Sequence, residues 1–514
     1  MKSVAVGTRS EPVDPNARTP AGTQRRWTIA ILGVILVAAG WLRFADLGKL
    51  SFWADEFPHA IAARNLIAHG SPELPSGRQY RRAYLQTIAD AGSMRAFGEN
   101  EKAARIPSAV VGVITVVGVW FVARRRFGET AALASAAVLA VMPMHVAHSR
   151  SARFYAGFAL SYGAAAALST RALETRSKRA AIGAVVAFGI ALHLQVEAAT
   201  LLLPLICWAV YLRAKSPEHH ASLGKAAAAL AGLGVGATLV IALVPPLREG
   251  ATWLLDNLPG MELKPGLHFD TLGKLFGVIS WWAWIPLAPA VIVGLRRADR
   301  NGVAVALQVL VPAVALAVLF APTTDRGIGF RYLFYLMPIL AVAVGVGVAE
   351  LAGLVGKRGA AAVTAVIVAV LVVAGGPTVW GLPSEPHPGR EIPRPNWNAA
   401  TAIVKAQGHT GDAILSTSPL APAWALGRCA DWIRTRAAAD AFLDGGRDIY
   451  CNSPLVTDEE SLRAYLRAHP RGWVIADPGQ WRSIVDPGGR AYIERTATRV
   501  DPGDGSILLW RWGV

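Results

Sequence analysis

At 514 residues, 53% hydrophobic and only 17% charged, the chain is too apolar to be a string of ordinary soluble domains. A formal charge of +16 would suit a nucleic-acid binder, but much of the Lys and Arg sits in short connectors between apolar blocks, where it orients helices; nucleic acid is excluded as a partner. Three cysteines are too few for a disulfide scaffold or a thiolate metal site, and Cys207, inside an apolar block, reads as packing.

Residues 1–26 are polar, Pro-containing and basic, and are expected to form a disordered cytoplasmic lead rather than a cleaved signal. The first apolar block, 27–47, is long enough to cross a hydrocarbon layer as a helix. A mixed-charge stretch, 48–105, follows it, with helical character at 54–68 and 82–97 that predicts helices lying at the membrane surface. Further spans are predicted at 107–123, 131–148, 152–169, 180–197, 198–212, 226–247, 275–295, 303–321, 332–351 and 360–380, about eleven in all.

Every second connector is basic: Arg124, Arg125 and Arg126; Arg171, Arg176, Lys178 and Arg179; Arg213, Lys215 and Lys225; Arg296, Arg297 and Arg300; Lys357 and Arg358. The lead, with Arg25 and Arg26, falls on the same side, so the N-terminus is placed inside and an odd number of spans places the C-terminal portion outside. A Pro-rich linker, 381–395, leads to residues 396–514. There helix-like stretches (397–407, 458–468) alternate with the apolar runs DAILSTSP, GWVIADPG and SILLWRWG, which read as buried strands of a small α/β domain. Cys429 and Cys451 both fall in this domain and can pair in an oxidising compartment, although sequence separation alone does not establish the geometry.

The first outside loop opens with Trp53, Ala54, Asp55 and Glu56. A partly desolvated carboxylate here, beside a cavity that lipid-borne substrates can enter, can take a hydroxyl proton as a general base; two solvated loop charges are the plainer reading. His59 follows as a cavity-lining candidate. At a second outside corner, HSRSARFYA, Arg150 and Arg153 share a helical face with His148 and Tyr155 nearby. Guanidinium groups there suit a phosphate, and snorkelling to lipid headgroups is the bland alternative. A third corner carries Arg326, Arg331 and Tyr332, whose arginines break the positive-inside tendency and so favour a ligand role. His193, Gln195 and Glu197 form a polar turn at a span end, suited to lining a cavity or to capping and pairing. GLGVGA, at 232–237, lies within a span and reads as small-residue helix packing, not a dinucleotide loop.

In this order and topology the features resemble the membrane glycosyltransferases of the C-type fold, specifically the protein O-mannosyltransferase and lipid A aminoarabinose transferase group. The likeness runs from Trp53 to about Leu173. It includes WADE, FGENEKAARIPSAVVG, the RRRFG inside turn and SRSARFYA, and continues in RYLFYLMP (331–338) and in GDAILSTSP of the tail. It implies a polytopic α-helical membrane protein of about 11 transmembrane helices with a C-terminal extracytoplasmic α/β domain. It also implies transfer of a sugar from a polyprenyl-phosphate donor to a protein, lipid or envelope glycan on the outer face of a bacterial plasma membrane, with inversion. By the same resemblance Asp55 is the catalytic acidic position with Glu56 beside it, while Arg150, Arg153, Arg331, Arg81 and Arg82 are candidates for the donor phosphate. The chain departs from the pattern at RRAYLQTI (81–88), where many relatives have Pro-Pro-Leu, and it offers no second carboxylate after Tyr155. Acceptor and any divalent metal therefore stay open, and no cofactor is assigned. A transporter and a noncatalytic envelope scaffold are the rival readings. The first would place ionisable groups near mid-membrane, whereas here they cluster at outer span ends.

Overall fold

The structure, a computed structural model, describes residues 21–215, 223–256, 281–297, 299–319, 334–375, 394–503 and 505–513. Every predicted apolar block meets a helix within them. In chain order these are α1 (Ala21–Phe44), α2 (Phe57–His69), α3 (Tyr84–Phe97), α4 (Glu101–Phe127), α5 (Glu129–Val141), α6 (Pro143–Ser149), α7 (Tyr155–Thr175) and α8 (Lys178–Leu194). They continue with α9 (Leu202–Lys215), α10 (Leu223–Leu243), α11 (Pro245–Asp256), α12 (Trp284–Arg296), α13 (Arg300–Leu319) and α14 (Met337–Gly375). Among the described residues four helical stretches are long and apolar enough to cross a membrane singly, and the bent pair α5–α6 makes a fifth; further apolar helices are shorter.

Local chemistry sets the boundaries. Asn100 caps α4 by accepting from the Ala103 N–H at 2.9 Å, Glu101 sits in the first turn, and Arg124, Arg125 and Arg126 in the last, each sign facing the favourable end of the helix dipole. The block predicted as one span at 131–148 is instead broken, α5 and α6 meeting at 61°. Pro143 is the cause: it has no N–H to offer the Leu139 carbonyl, and it drives Met142 into extended backbone (φ −61°, ψ 116°). Arg43 of α1 fills the gap, donating to Leu139 O at 3.3 Å and Ala140 O at 3.0 Å, and it also meets His145 Nδ1 at 2.8 Å. α14 crosses α5 and α12 closely through small residues: a Cβ at Gly345 would overlap Ser135, and one at Gly347 the Ala290 carbonyl.

In the tail a six-stranded sheet has the order β5–β2–β1–β6–β8–β7, with β1 (Ala413–Ser416), β2 (Asp431–Ile433), β5 (Leu455–Val456), β6 (Gly472–Ala476), β7 (Thr498–Val500) and β8 (Leu508–Trp512). A separate two-stranded ribbon joins β3 (Leu443–Asp444) to β4 (Arg447–Asp448). The strands β5, β2, β1 and β6 run parallel, and β8 pairs antiparallel with β6 and β7. Every residue of β6 is buried, as its unbroken apolar run requires for a central strand. Helix α15 (Trp397–Gln407) packs on this sheet, and the short α16 (Leu420–Leu426) faces the membrane domain.

The first outside loop does not lie open at a membrane surface. Phe57 to Ala63 of α2 are buried on all sides, because α2 and the segment before it share one apolar core with the tail. Phe52 lies 5.0 Å from the Trp424 ring, and Arg64 stacks 3.7 Å over Trp424 while donating to its carbonyl at 3.0 Å. Glu101, at the start of α4, accepts from Asn398 at 3.0 Å and Trp424 at 3.1 Å.

Candidate active site

Glu56 is the centre of a buried knot. Its Oε1 accepts from Arg105 Nε at 2.9 Å and Ala152 N at 2.7 Å; its Oε2 accepts from Arg105 Nη2 at 3.0 Å, Arg394 Nη2 at 2.7 Å and Trp53 N at 2.8 Å. Burial alone would raise this carboxyl, but Arg105 and Arg394 outweigh it and hold the pKa at about 2. Arg105 spends the rest of its fork on the carbonyls of Leu47 (2.9 Å), Leu50 (2.8 Å) and Ser51 (3.0 Å). One carboxylate thereby ties the end of α1, the start of α4, the α6–α7 corner and the tail linker together. Neither Arg105 nor Arg394 stands out in sequence, because each partner lies far along the chain.

Asp55 points the other way. Its side chain is 54% exposed, beside a buried Arg153 whose Nη1 donates to the Asp55 carbonyl at 2.7 Å and whose Nη2 lies 3.8 Å from Asp55 Oδ2. Arg153 Nη2 also reaches the Tyr155 hydroxyl at 3.5 Å, and its guanidinium sits over the Phe154 and Tyr155 rings. Arg82 stacks on the other part of this wall, 5.4 Å from the Phe154 ring. His59 is buried, 5.0 Å from the Tyr80 ring and sharing a hydrogen bond with Thr87 at 3.2 Å. Burial first, then the charges of Arg153 and Arg82, drive its pKa well below the ordinary value, so it is a neutral imidazole.

The tail closes over this group. Ser76 binds the β4–β5 loop through the Ile449 carbonyl (2.7 Å) and the Tyr450 carbonyl (2.9 Å), and Arg78 pairs with Asp444. Asp448 accepts from the N–H groups of Tyr450, Cys451 and Ser453, and a Cys429–Cys451 disulfide fixes the same loop. Tyr450 is thereby brought within electrostatic reach of Tyr80, Asp55, Arg82 and Arg153, and burial raises its pKa. Beneath Arg153, Ser108 donates to its carbonyl at 3.0 Å and meets Gln86, which holds Asp90 at 2.7 Å. Asp90 is fully buried, and burial pushes its pKa well above the ordinary value.

The remaining candidates divide. Arg150 caps α1, donating to the carbonyls of Leu42 at 2.9 Å and Ala45 at 2.8 Å, a structural use of a residue taken as a phosphate ligand. His148 packs on Tyr155 (4.6 Å) and Phe334 (4.7 Å). His193 bridges α3 and α11, accepting from Leu85 N at 3.2 Å and meeting the Leu247 carbonyl at 3.0 Å. Gln195 donates to Glu197 at 3.0 Å, and Glu197, buried, lies within electrostatic reach of Arg82. Arg81 pairs with Glu249 at 3.6 Å. Arg326, Arg331 and Tyr332 fall outside the described residues. Among the described residues no group of three His, Cys, Asp or Glu side chains stands close enough to hold a metal ion, so the divalent metal left open by the sequence finds no ligand set there.

Residues 85–243 match the family model described as dolichyl-phosphate-mannose-protein mannosyltransferase. The solved structure of ArnT from Cupriavidus metallidurans with undecaprenyl phosphate bound superposes with a TM-score of 0.62 at 15% identity, covering 95% of this chain and 98% of that one. The chain has the C-type fold of these membrane glycosyltransferases. The apo oligosaccharyltransferase of Archaeoglobus fulgidus has the same fold, with a TM-score of 0.57 at 12% identity over 90% of this chain and 71% of that one. No curated protein matches the sequence. These likenesses, with the apolar helices, make the chain an integral membrane protein. At such identities they carry the C-type fold and leave the substrates to the chemistry of the site.

Proposed function

We propose that this glycosyltransferase moves a sugar from a polyprenyl-phosphate donor to an acceptor hydroxyl of a protein, lipid or envelope glycan, with inversion, and that Asp55 is the general base. The observation that carries this reading is the split between the neighbouring carboxylates: Glu56 has both oxygens committed to the scaffold, while Asp55 presents an exposed carboxylate held by Arg153 through its own backbone carbonyl. Polyprenyl-phosphate carriers are the lipids found in the solved C. metallidurans protein and, as dolichol phosphate, in the A. fulgidus enzyme, which supports the donor class.

In the proposed step the acceptor O–H gives its proton to Asp55, its oxygen forms the new bond to the anomeric carbon from the face opposite the phosphate, and the carbon–oxygen bond to the carrier breaks. The electron pair leaves on the polyprenyl phosphate. Arg153 and Arg82, both over the Phe154 ring, are the guanidinium groups assigned here to neutralise that growing negative charge, with Arg331 a further candidate. A neutral His59, packed on the Tyr80 ring, lies within electrostatic reach of Asp55. The positive-inside pattern supports an outward-facing site in a bacterial plasma membrane with a cytoplasmic N-terminus, and the Cys429–Cys451 bond suits an oxidising exterior.

The test is to incubate the purified chain in nanodiscs with a panel of undecaprenyl-phosphate-linked hexoses and pentoses plus envelope extract. Consumption of one donor, with free undecaprenyl phosphate and an inverted anomeric linkage as products, is expected. Binding or translocation of the panel with no donor consumed would favour a transporter instead.

A further inference from the structure

A groove of about 540 Å³ runs between α4, α7, α13 and α14. On α4 its lining runs from Thr115 to Phe127, towards the helix end away from Arg105 and the Glu56 knot. The walls are apolar, and the groove exists because α4 and α7 present small residues to it: Gly118, Gly163, Ala164 and Ala167 stand where larger side chains would fill the space. Polar character is confined to one mouth and one point inside. At the mouth, Arg126 is engaged by Glu174 at 3.1 and 3.2 Å and by Asn301 at 3.3 Å, so these charges satisfy one another. Arg125 and Arg171 also line the mouth, are exposed, and form no ion pair among the described residues. Inside, Gln308 is 5% exposed and its Oε1 has no hydrogen-bond partner among the described residues. A buried amide in an apolar wall is costly unless a ligand completes its hydrogen bonds.

We propose that this groove holds one molecule of an anionic glycerophospholipid, its acyl chain along the small-residue wall and its phosphate between Arg125 and Arg171. Gln308 Oε1 then accepts from a water drawn in beside the lipid's glycerol backbone. The occupant is specified by complementarity: an apolar slot with two cations at its rim matches an acyl chain and a phosphate. A neutral or zwitterionic lipid would leave the rim uncompensated. The site is separate from the sugar-transfer reading and can fail without it.

The experiment is native mass spectrometry of the full chain extracted from nanodiscs holding equal parts phosphatidylglycerol and phosphatidylcholine. One phosphatidylglycerol is expected to be retained at least about tenfold over phosphatidylcholine, whose choline cation offsets its phosphate and is repelled by the two-arginine rim. Double substitution of Arg125→Ala and Arg171→Ala should abolish that preference, and Ala167→Leu, which fills the slot without touching charge, should lower occupancy of both lipids. Arg213→Ala, on another basic connector, should leave retention unchanged; monodisperse elution of each variant establishes that it is folded. Equal retention of the two lipids, a preference that survives the rim and slot substitutions, or displacement of phosphatidylglycerol by added undecaprenyl phosphate at equimolar amounts would each overturn the proposal.

Discussion

Asp55 and Glu56 are adjacent in the chain yet have opposite surroundings, because the turn at 54–56 leaves one carboxylate 54% exposed and directs the other into five donors from Arg105, Arg394, Trp53 and Ala152. Removing the charge in Glu56→Gln leaves two buried arginines without their counterion and should cost about 3–5 kcal/mol, read as a fall in the thermal unfolding midpoint. The pH dependence follows from the same knot. The folded pKa is depressed from 4.5 to about 2, so the stabilisation is complete above the ordinary value and is lost as pH falls from 4.5 towards 2. The difference in midpoint between the chain and Glu56→Gln should therefore narrow across that window and stay constant at neutral pH. At Arg153 the planar fork serves the Asp55 carbonyl and the Tyr155 hydroxyl together. Arg153→Lys cannot reproduce this, and kcat is expected to drop about 10²-fold, as for loss of one oxyanion donor.

At the scale of elements, the break between α5 and α6 shows what could be read in the sequence and what could not. Pro143 and an arginine inside the first span were both visible, but the apolar run around Pro143 suggested one continuous helix, and nothing local linked Arg43 to a carbonyl 96 residues away. Arg43→Met should destabilise the chain by about 1–3 kcal/mol by leaving the Leu139 and Ala140 carbonyls unpaired; Pro143→Ala, which restores an N–H to Leu139, should recover part of that loss in a double-mutant cycle. The predicted surface helices lie at 57–69 and 84–97, but burial of α2 was hidden, since its covering partner, the tail, enters more than 300 residues later. In the tail the three apolar runs contain β1, β6 and β8, because central strands buried on both faces leave an unbroken apolar signature. The Cys429–Cys451 bond closes a loop of 22 residues in sequence separation, and Cys429→Ser with Cys451→Ser should lower stability of the tail by about 3 kcal/mol, seen as an earlier unfolding transition.

For the molecule as a whole, apolar block length and connector charge made the helical membrane domain legible, because both are local properties of the chain. The candidate site was legible only where a motif held two partners close in sequence: Arg153 and Tyr155 do meet beside Asp55, while Arg150, the residue that follows α6, turns to cap α1. Tyr80, Asp90, Arg105, Arg394 and Tyr450 join through tertiary contacts that no spacing announces. The membrane domain and the tail are fastened at Glu56, with the exposed Asp55 carboxylate next to it in the chain. Its most direct test is turnover by Asp55→Asn, using whichever undecaprenyl-phosphate sugar the wild-type chain consumes, alongside binding of that same donor. The expected result is a fall in kcat of about 10²–10⁴-fold with donor affinity unchanged, because the general base is lost and the arginines remain. Wild-type turnover by Asp55→Asn would contradict the account.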